Sequence, residues 1–341
     1  MFSALKQFLF PSPPPVEPAV RERAVAASRQ RGGRAAGSAA ARLSPADIDA
    51  AFYGMVLGVQ SALDAGPNAF ESRVTRELER LLAADISHSS LVPRLPAVIP
   101  RVMKTLRDES SSAAQLAADL GRDAVLVSEV IRLSNSPYYR TGNEITSLER
   151  AVFALGRTGI RQLVANAAFK PLINLNAGYF TRLSGTLLWE QSEKAAVACD
   201  CMARAERVDR FHAYLMAIVQ NVGMTVALQV LDSNFKGSEV PRSQQFRERL
   251  VRQSRVLSLK IARQWEFPSP VLDALQAQID VADGVRLSGL AAILHIADVV
   301  AKTHILSRCG RIADGEILAE VDLPELRLKA HLTDCYRRFS A

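Results

Sequence analysis

Tyr214-Leu-Met-Ala-Ile-Val-Gln-Asn-Val-Gly223 is the stretch that decides the fold of this 341-residue chain. Six apolar residues run into two adjacent neutral amides, Gln220 and Asn221, and then into a Val-Gly step. The stretch lies inside a longer run, 210–231, whose apolar residues recur at helical spacing. Similar runs occupy 158–174, 183–207, 243–265, 269–279, 286–307 and 323–339. Strand signals are nearly absent, because β-branched residues are scattered and no Asn-Gly or Asp-Gly joins two alternating segments. The periodicity predicts an all-α chain.

Upstream, Ser44-Pro45 reads as an N-cap followed by proline at the first helical position. Ile48, Phe52, Met55, Val59 and Leu63 then keep helical spacing up to Gly66-Pro67, and Phe70, Val74, Leu78 and Leu81 resume it. Residues 43–90 therefore read as an N-terminal helical hairpin. Pro96, Ser112, Asp123 and Ser147 each open a further helix. Asn135-Ser136-Pro137 ends one, since proline disfavours helix at the residue before it.

Residues 1–42 differ in kind. Pro, Ala, Gly and Arg dominate from Pro11 to Ala41, too little apolar surface to offset ordering entropy, so a basic disordered tail is expected. Seven basic residues there face only Glu17 and Glu22, a net +5 of the chain's +7. The basic balance is thus mostly a property of the tail and gives little reason to expect nucleic acid on the rest. No run reaches eighteen apolar residues, so no membrane span is expected. The start, Met1 to Phe10, lacks the basic opening and cleavage site of a secretory signal. Cys199, Cys201, Cys309 and Cys335 have no disulfide-framework spacing, which fits reduced thiols in the cytoplasm.

A set of short patterns then recurs in order. Leu95-Pro96 with Val98 comes first, followed by Leu116-Ala-Ala-Asp-Leu120 and Asp123. Val130-Ile-Arg-Leu-Ser-Asn-Ser136 with Tyr138-Tyr139 comes next, then Ile145-Thr-Ser-Leu-Glu-Arg-Ala-Val152 and Leu155-Gly156. Leu188-Trp189 with Ser192, Ala217 to Gly223, and Trp265-Glu-Phe-Pro268 complete it. In this set the chain resembles the HDOD family, the HD-related output domains of bacterial signalling, over residues 91–284. The resemblance implies the HD-type helical bundle, with 285–341 packed on it as C-terminal helices.

The same resemblance implies where a metal would sit in hydrolytic HD relatives. The first His falls at Gln191, the His-Asp pair at Gln220 and Asn221, and the last Asp at Asp298. Further histidines would fall near Gln253-Ser254 and Gln278, where there are none. One ligand in four survives, and amide oxygens supply neither the charge nor the affinity a divalent ion needs. No metal, no cofactor and no catalytic residue is expected. The four positions imply a polar core or a vestigial pocket able to hold a small ligand.

Three other features carry weaker signals. Arg249, Arg252 and Arg255 follow at threes on one helix and suggest a surface for an acidic partner or a phosphate. Residues 114–133 mimic a helix-turn-helix, yet Asp123 and Glu129 beside Arg122 and Arg132 suit a phosphate-lined groove poorly. His295 and Asp298 share a helix face, a spacing that more often makes a hydrogen bond than a metal site. The expected function is regulatory: a bacterial signalling protein acting through contact with another protein, without turnover. The alternatives are an active HD-type phosphohydrolase on nucleotides or cyclic dinucleotides, and a DNA-binding regulator using 114–133.

Overall fold

Ser44 opens the first helix as the sequence predicts. Its hydroxyl accepts from the Asp47 backbone N–H (3.2 Å), and the Asp47 carboxylate accepts from the Ser44 N–H (2.9 Å). Pro45 fills the first helical position. The computed structural model describes residues 43–59, 63–94, 120–121, 124–140, 142–175, 177–237, 239–281, 286–312 and 339. The expected tail 1–42, the helices opening at Pro96 and Ser112, and the run 323–338 lie outside the described residues.

The described helices are α1 (Pro45–Val56), α2 (Ala69–Ala83), α3 (Ala124–Ser134), α4 (Leu148–Ile173), α5 (Tyr179–Glu206), α6 (Arg210–Val219), α7 (Val222–Asn234), α8 (Gln244–Gln264), α9 (Ser269–Asp280) and α10 (Gly289–Arg308). Among the described residues there is no strand, only an isolated bridge between Leu63 and Ser243. α5 is the central post, with α6 and α10 against it; α7 packs on α8, and α9 lies between α8 and α10. α3 closes onto α4.

Of the expected N-terminal hairpin, the two helices are present, but their main contacts are with the bundle rather than with each other. α1 lies on α10 and α5, and α2 on α8 and α7. α1 buries Ile48, Phe52 and Val56. α2 is held at both ends. Glu71 and Asn68 form its capping box, and the other Glu71 oxygen accepts from the Ser243 N–H (2.8 Å) at the start of α8. At the far end Lys260 donates to the carbonyls of Leu82 and Ala84, the groups a helix C-terminus leaves unpaired.

Two helical stretches have the length and apolar character of a membrane crossing, Arg210–Asn234 and Gly289–Arg308. Their most apolar windows are 89% and 78% buried inside the bundle, the place of core helices. The first stretch is also not one helix. The periodicity of 210–231 runs straight through Gln220–Asn221, whereas the structure breaks there into α6 and α7. The Ser258 hydroxyl inserts into the ladder: it donates to the Gln220 carbonyl (2.6 Å) and accepts from the Gly223 N–H (2.9 Å).

Candidate functional site

The break between α6 and α7 turns the amide pair toward α5, α8 and α10. Asn221 Nδ2 donates to the Gln191 Oε1, to the Ser192 hydroxyl (2.9 Å) and to the Leu188 carbonyl (3.4 Å). Gln191, fully buried, passes the chain on by donating from Nε2 to Asp298 Oδ1 (2.5 Å). The other Asp298 oxygen accepts from the Lys302 ammonium (2.5 Å), one turn along α10. Asn221, Gln191, Asp298 and Lys302 thus form one unbroken buried chain of hydrogen bonds.

Lys302 carries the chain out to α1. Its Nζ also donates to Asp49 Oδ1 (2.7 Å) and to the Tyr53 hydroxyl (3.4 Å), and it lies over the rings of Tyr53 and Phe52. Arg255 of α8 holds the second Asp49 oxygen (2.9 Å). Two cations and two carboxylates from three helices therefore meet in one cluster. Burial on its own would drive the Lys302 ammonium toward neutrality, but Asp298 and Asp49 outweigh it and raise its pKa above the ordinary lysine value. Burial would raise the Asp49 pKa, and the Lys302 and Arg255 charges reverse that and lower it. His295 alongside is pushed down chiefly by burial, with Asp298 and Asp49 opposing.

Gln220 stands apart from the bonded chain. It lines a cavity of about 20 Å³ together with Asn221, Ser254, Ser258, Gln278 and Asp298. That volume admits roughly one water and nothing larger. The Gln220 Nε2 is buried beside it without an acceptor among the described residues. Gln278, where the resemblance would place a histidine, instead donates to the Ala291 carbonyl (2.9 Å) near the start of α10.

These residues do not fit a divalent ion. Of the four positions the resemblance points to, only Asp298 offers an anionic oxygen, and both of its oxygens are already bound. Mg²⁺ or Mn²⁺ requires several oxygens with net negative charge, and zinc requires imidazole or thiolate. Among the described residues no three His, Cys, Asp or Glu side chains are grouped to hold a metal.

The three arginines of α8 are not used alike. Arg249 is exposed and pairs with Glu79, Arg252 is exposed, and Arg255 is turned inward onto Asp49. They do not present one common cationic face. In the helix-turn-helix-like segment, 114–119, 122 and 123 lie outside the described residues. On α3, Arg132 is held by Glu129 (2.6 and 2.7 Å), which also accepts from Lys170 (3.2 Å). The Arg132 hydrogen bonds, against a smaller effect of burial, bring the Glu129 pKa down to about 2.

Sequence reasoning missed Asp49, Tyr53 and Lys302. A signal for one of them was present: Lys302 interrupts the apolar run Val299-Val-Ala301, four residues after an acid on the same helix. It also missed the use of Tyr138, whose hydroxyl donates to Asp200 (2.6 Å) on α5. Gln162 and Arg210 converge on the same buried carboxylate, which ties the end of the α3 segment to the central post.

An HDOD domain model matches residues 92–281. Among solved structures, the chain is similar to an HDOD domain protein from Geobacter sulfurreducens, at 21% identity and a TM-score of 0.53, over 79% of this chain and 89% of that one. It is also similar to a protein from Shewanella amazonensis SB2B named as a metal-dependent phosphohydrolase, at 19% identity and a TM-score of 0.56, over 80% of this chain and 98% of that one. At such identities the likeness shows the fold. No curated protein sequence matches the chain.

Proposed function

Because the chain belongs to the HDOD family, we propose that it is a regulatory signalling protein that acts by binding another protein and turns over no substrate. The observation that carries this reading is the state of Asp298: the one carboxylate among the four metal-type positions is bound at both oxygens by Gln191 and Lys302. Gln191, Gln220, Asn221 and Asp298 are in this reading the dismantled metal sphere of a hydrolase ancestor. Residues 43–90 and 285–341 are elaborations on the domain, and the basic segment 1–42 is a recruiting arm. The thiols of Cys199, Cys201 and Cys309 are unpaired, which supports a reducing, cytoplasmic setting.

The test is metal analysis of the full chain purified without chelator. No stoichiometric transition metal is expected, and one equivalent of manganese, iron or zinc would overturn the non-catalytic reading in favour of a phosphohydrolase. The DNA-binding alternative predicts tight, sequence-dependent gel shifts that survive removal of residues 1–42. We expect only weak, salt-sensitive binding that the removal abolishes.

A further inference from the structure

We propose that Lys302 is the resident cation of this site: its ammonium stands in for a metal's charge, and through Asp49 it makes helix α1 part of the site. The inference rests on the reading of Gln191, Asn221 and Asp298 as former metal positions.

Lys302 is fully buried, and a buried ammonium is tolerated only when paired and hydrogen-bonded. It has three N–H donors, and three oxygens receive them: Asp298 Oδ2, Asp49 Oδ1 and the Tyr53 hydroxyl. The ammonium is therefore saturated. Charge gives the same answer. Lys302 and Arg255 balance Asp49 and Asp298, so a divalent ion added to the cluster would face no uncompensated negative charge. The acceptors also come from different elements, one from α10 and two from α1. A metal sphere gathers donors from several helices around a point charge, and here a side chain supplies that charge permanently. α1 is consequently bound to the bundle by this polar anchor as well as by Ile48, Phe52 and Val56.

Lys302→Met keeps most of the side-chain length and removes the charge. It should lower Tm by roughly 10 °C, the expected result of leaving buried carboxylates without their cation. Hydrogen exchange should quicken across Pro45–Val56. Adding Asp298→Asn to Lys302→Met should recover a large part of the loss, because the stranded charge is then gone. If Lys302→Met does not fold at all, recovery of folding in the double variant reads the same way. A Lys302→Met protein as stable as the wild type, or a double variant no better than the single, would overturn the inference.

The metal arm uses Lys302→Ala, in which Asp49 and Asp298 face the space left by the ammonium. Mn²⁺ should raise the Tm of that variant and leave the wild type unmoved. A Lys302→Ala protein indifferent to Mn²⁺ would overturn the equivalence of ammonium and metal. Failure here is separable from failure of the functional reading. Stoichiometric metal in the wild type sinks the non-catalytic reading, whereas a flat double-variant comparison sinks only the role of Lys302.

Discussion

At the scale of single residues, the Val-Gly step after the amide pair has a steric meaning. A Cβ on Gly223 would stand 2.0 Å from the Ser254 carbonyl oxygen and 2.5 Å from the Ser258 nitrogen, both backbone atoms of α8. Neither can rotate away. Gly223→Ala must therefore push α7 off α8 and break the Ser258 bridge, and it should cost about 3 kcal/mol, at the upper end for overpacking. Urea unfolding measures it, and a midpoint within error of the wild type would show that the helices can part cheaply. The amides at 191, 220, 221 and the acid at 298 were legible as positions, because each sits in a local pattern that survives in sequence. Their mutual bonding was not legible, since neutral amides give no charge rule for choosing partners. Asn221 and Gln191 bond each other directly, while Gln220, equally polar and adjacent in sequence, faces the cavity instead. Helical geometry at the break decides between them, and the sequence pattern runs through that break without marking it.

At the scale of elements, helix type and most boundaries were legible because capping chemistry is local. Ser44, Ser147 and the turn at Asn135 each do what their side chains allow within a few residues. What α1 packs against was not legible. Its apolar stripe is compatible with any apolar partner, and the periodicity suggested a hairpin with α2. Asp49 helps fix the actual partner, because it faces Lys302 of α10 and Arg255 of α8. Its pKa lies below the ordinary carboxylate value, so its contribution is in place above about pH 4 and is lost as pH falls through the lowered value. Asp49→Asn should thus cost roughly 3 kcal/mol at neutral pH, the scale for removing one partner of a mostly buried ion pair. The gap between variant and wild type should stay constant from about pH 5 to pH 9 and close below pH 4. Denaturant unfolding at a series of pH values checks it. A gap that persists unchanged at pH 3 would mean the residue acts through packing rather than charge.

At the scale of the whole molecule, the matched domain and the site do not coincide. The HDOD match covers 92–281, yet Asp49 lies before it and Asp298 and Lys302 lie after it. Within the match remain Gln191, Asn221 and Arg255, the halves of bonds whose partners are elsewhere. The apolar surface is divided in the same way. α5 and α8 lie against α1, and α5, α6 and α9 lie against α10, where Ile293, Leu294, Ala297, Val300 and Ala301 are buried. A fragment cut to 92–281 would expose those faces to water and leave Arg255 without its carboxylate, with no new contact in compensation. Burial is worth on the order of 25 cal/mol per Å² of apolar surface, so uncovering two helix faces exceeds the net stability of about 5–15 kcal/mol that a domain commands. The fragment 92–281 should therefore retain helical circular dichroism, bind a hydrophobic dye and melt without a cooperative transition. The longer fragment 43–341 should melt cooperatively near the Tm of the full chain. A cooperative transition in 92–281 at the Tm of 43–341 would show that the flanking helices are accessories, and that the Lys302 cluster is dispensable for holding the bundle together.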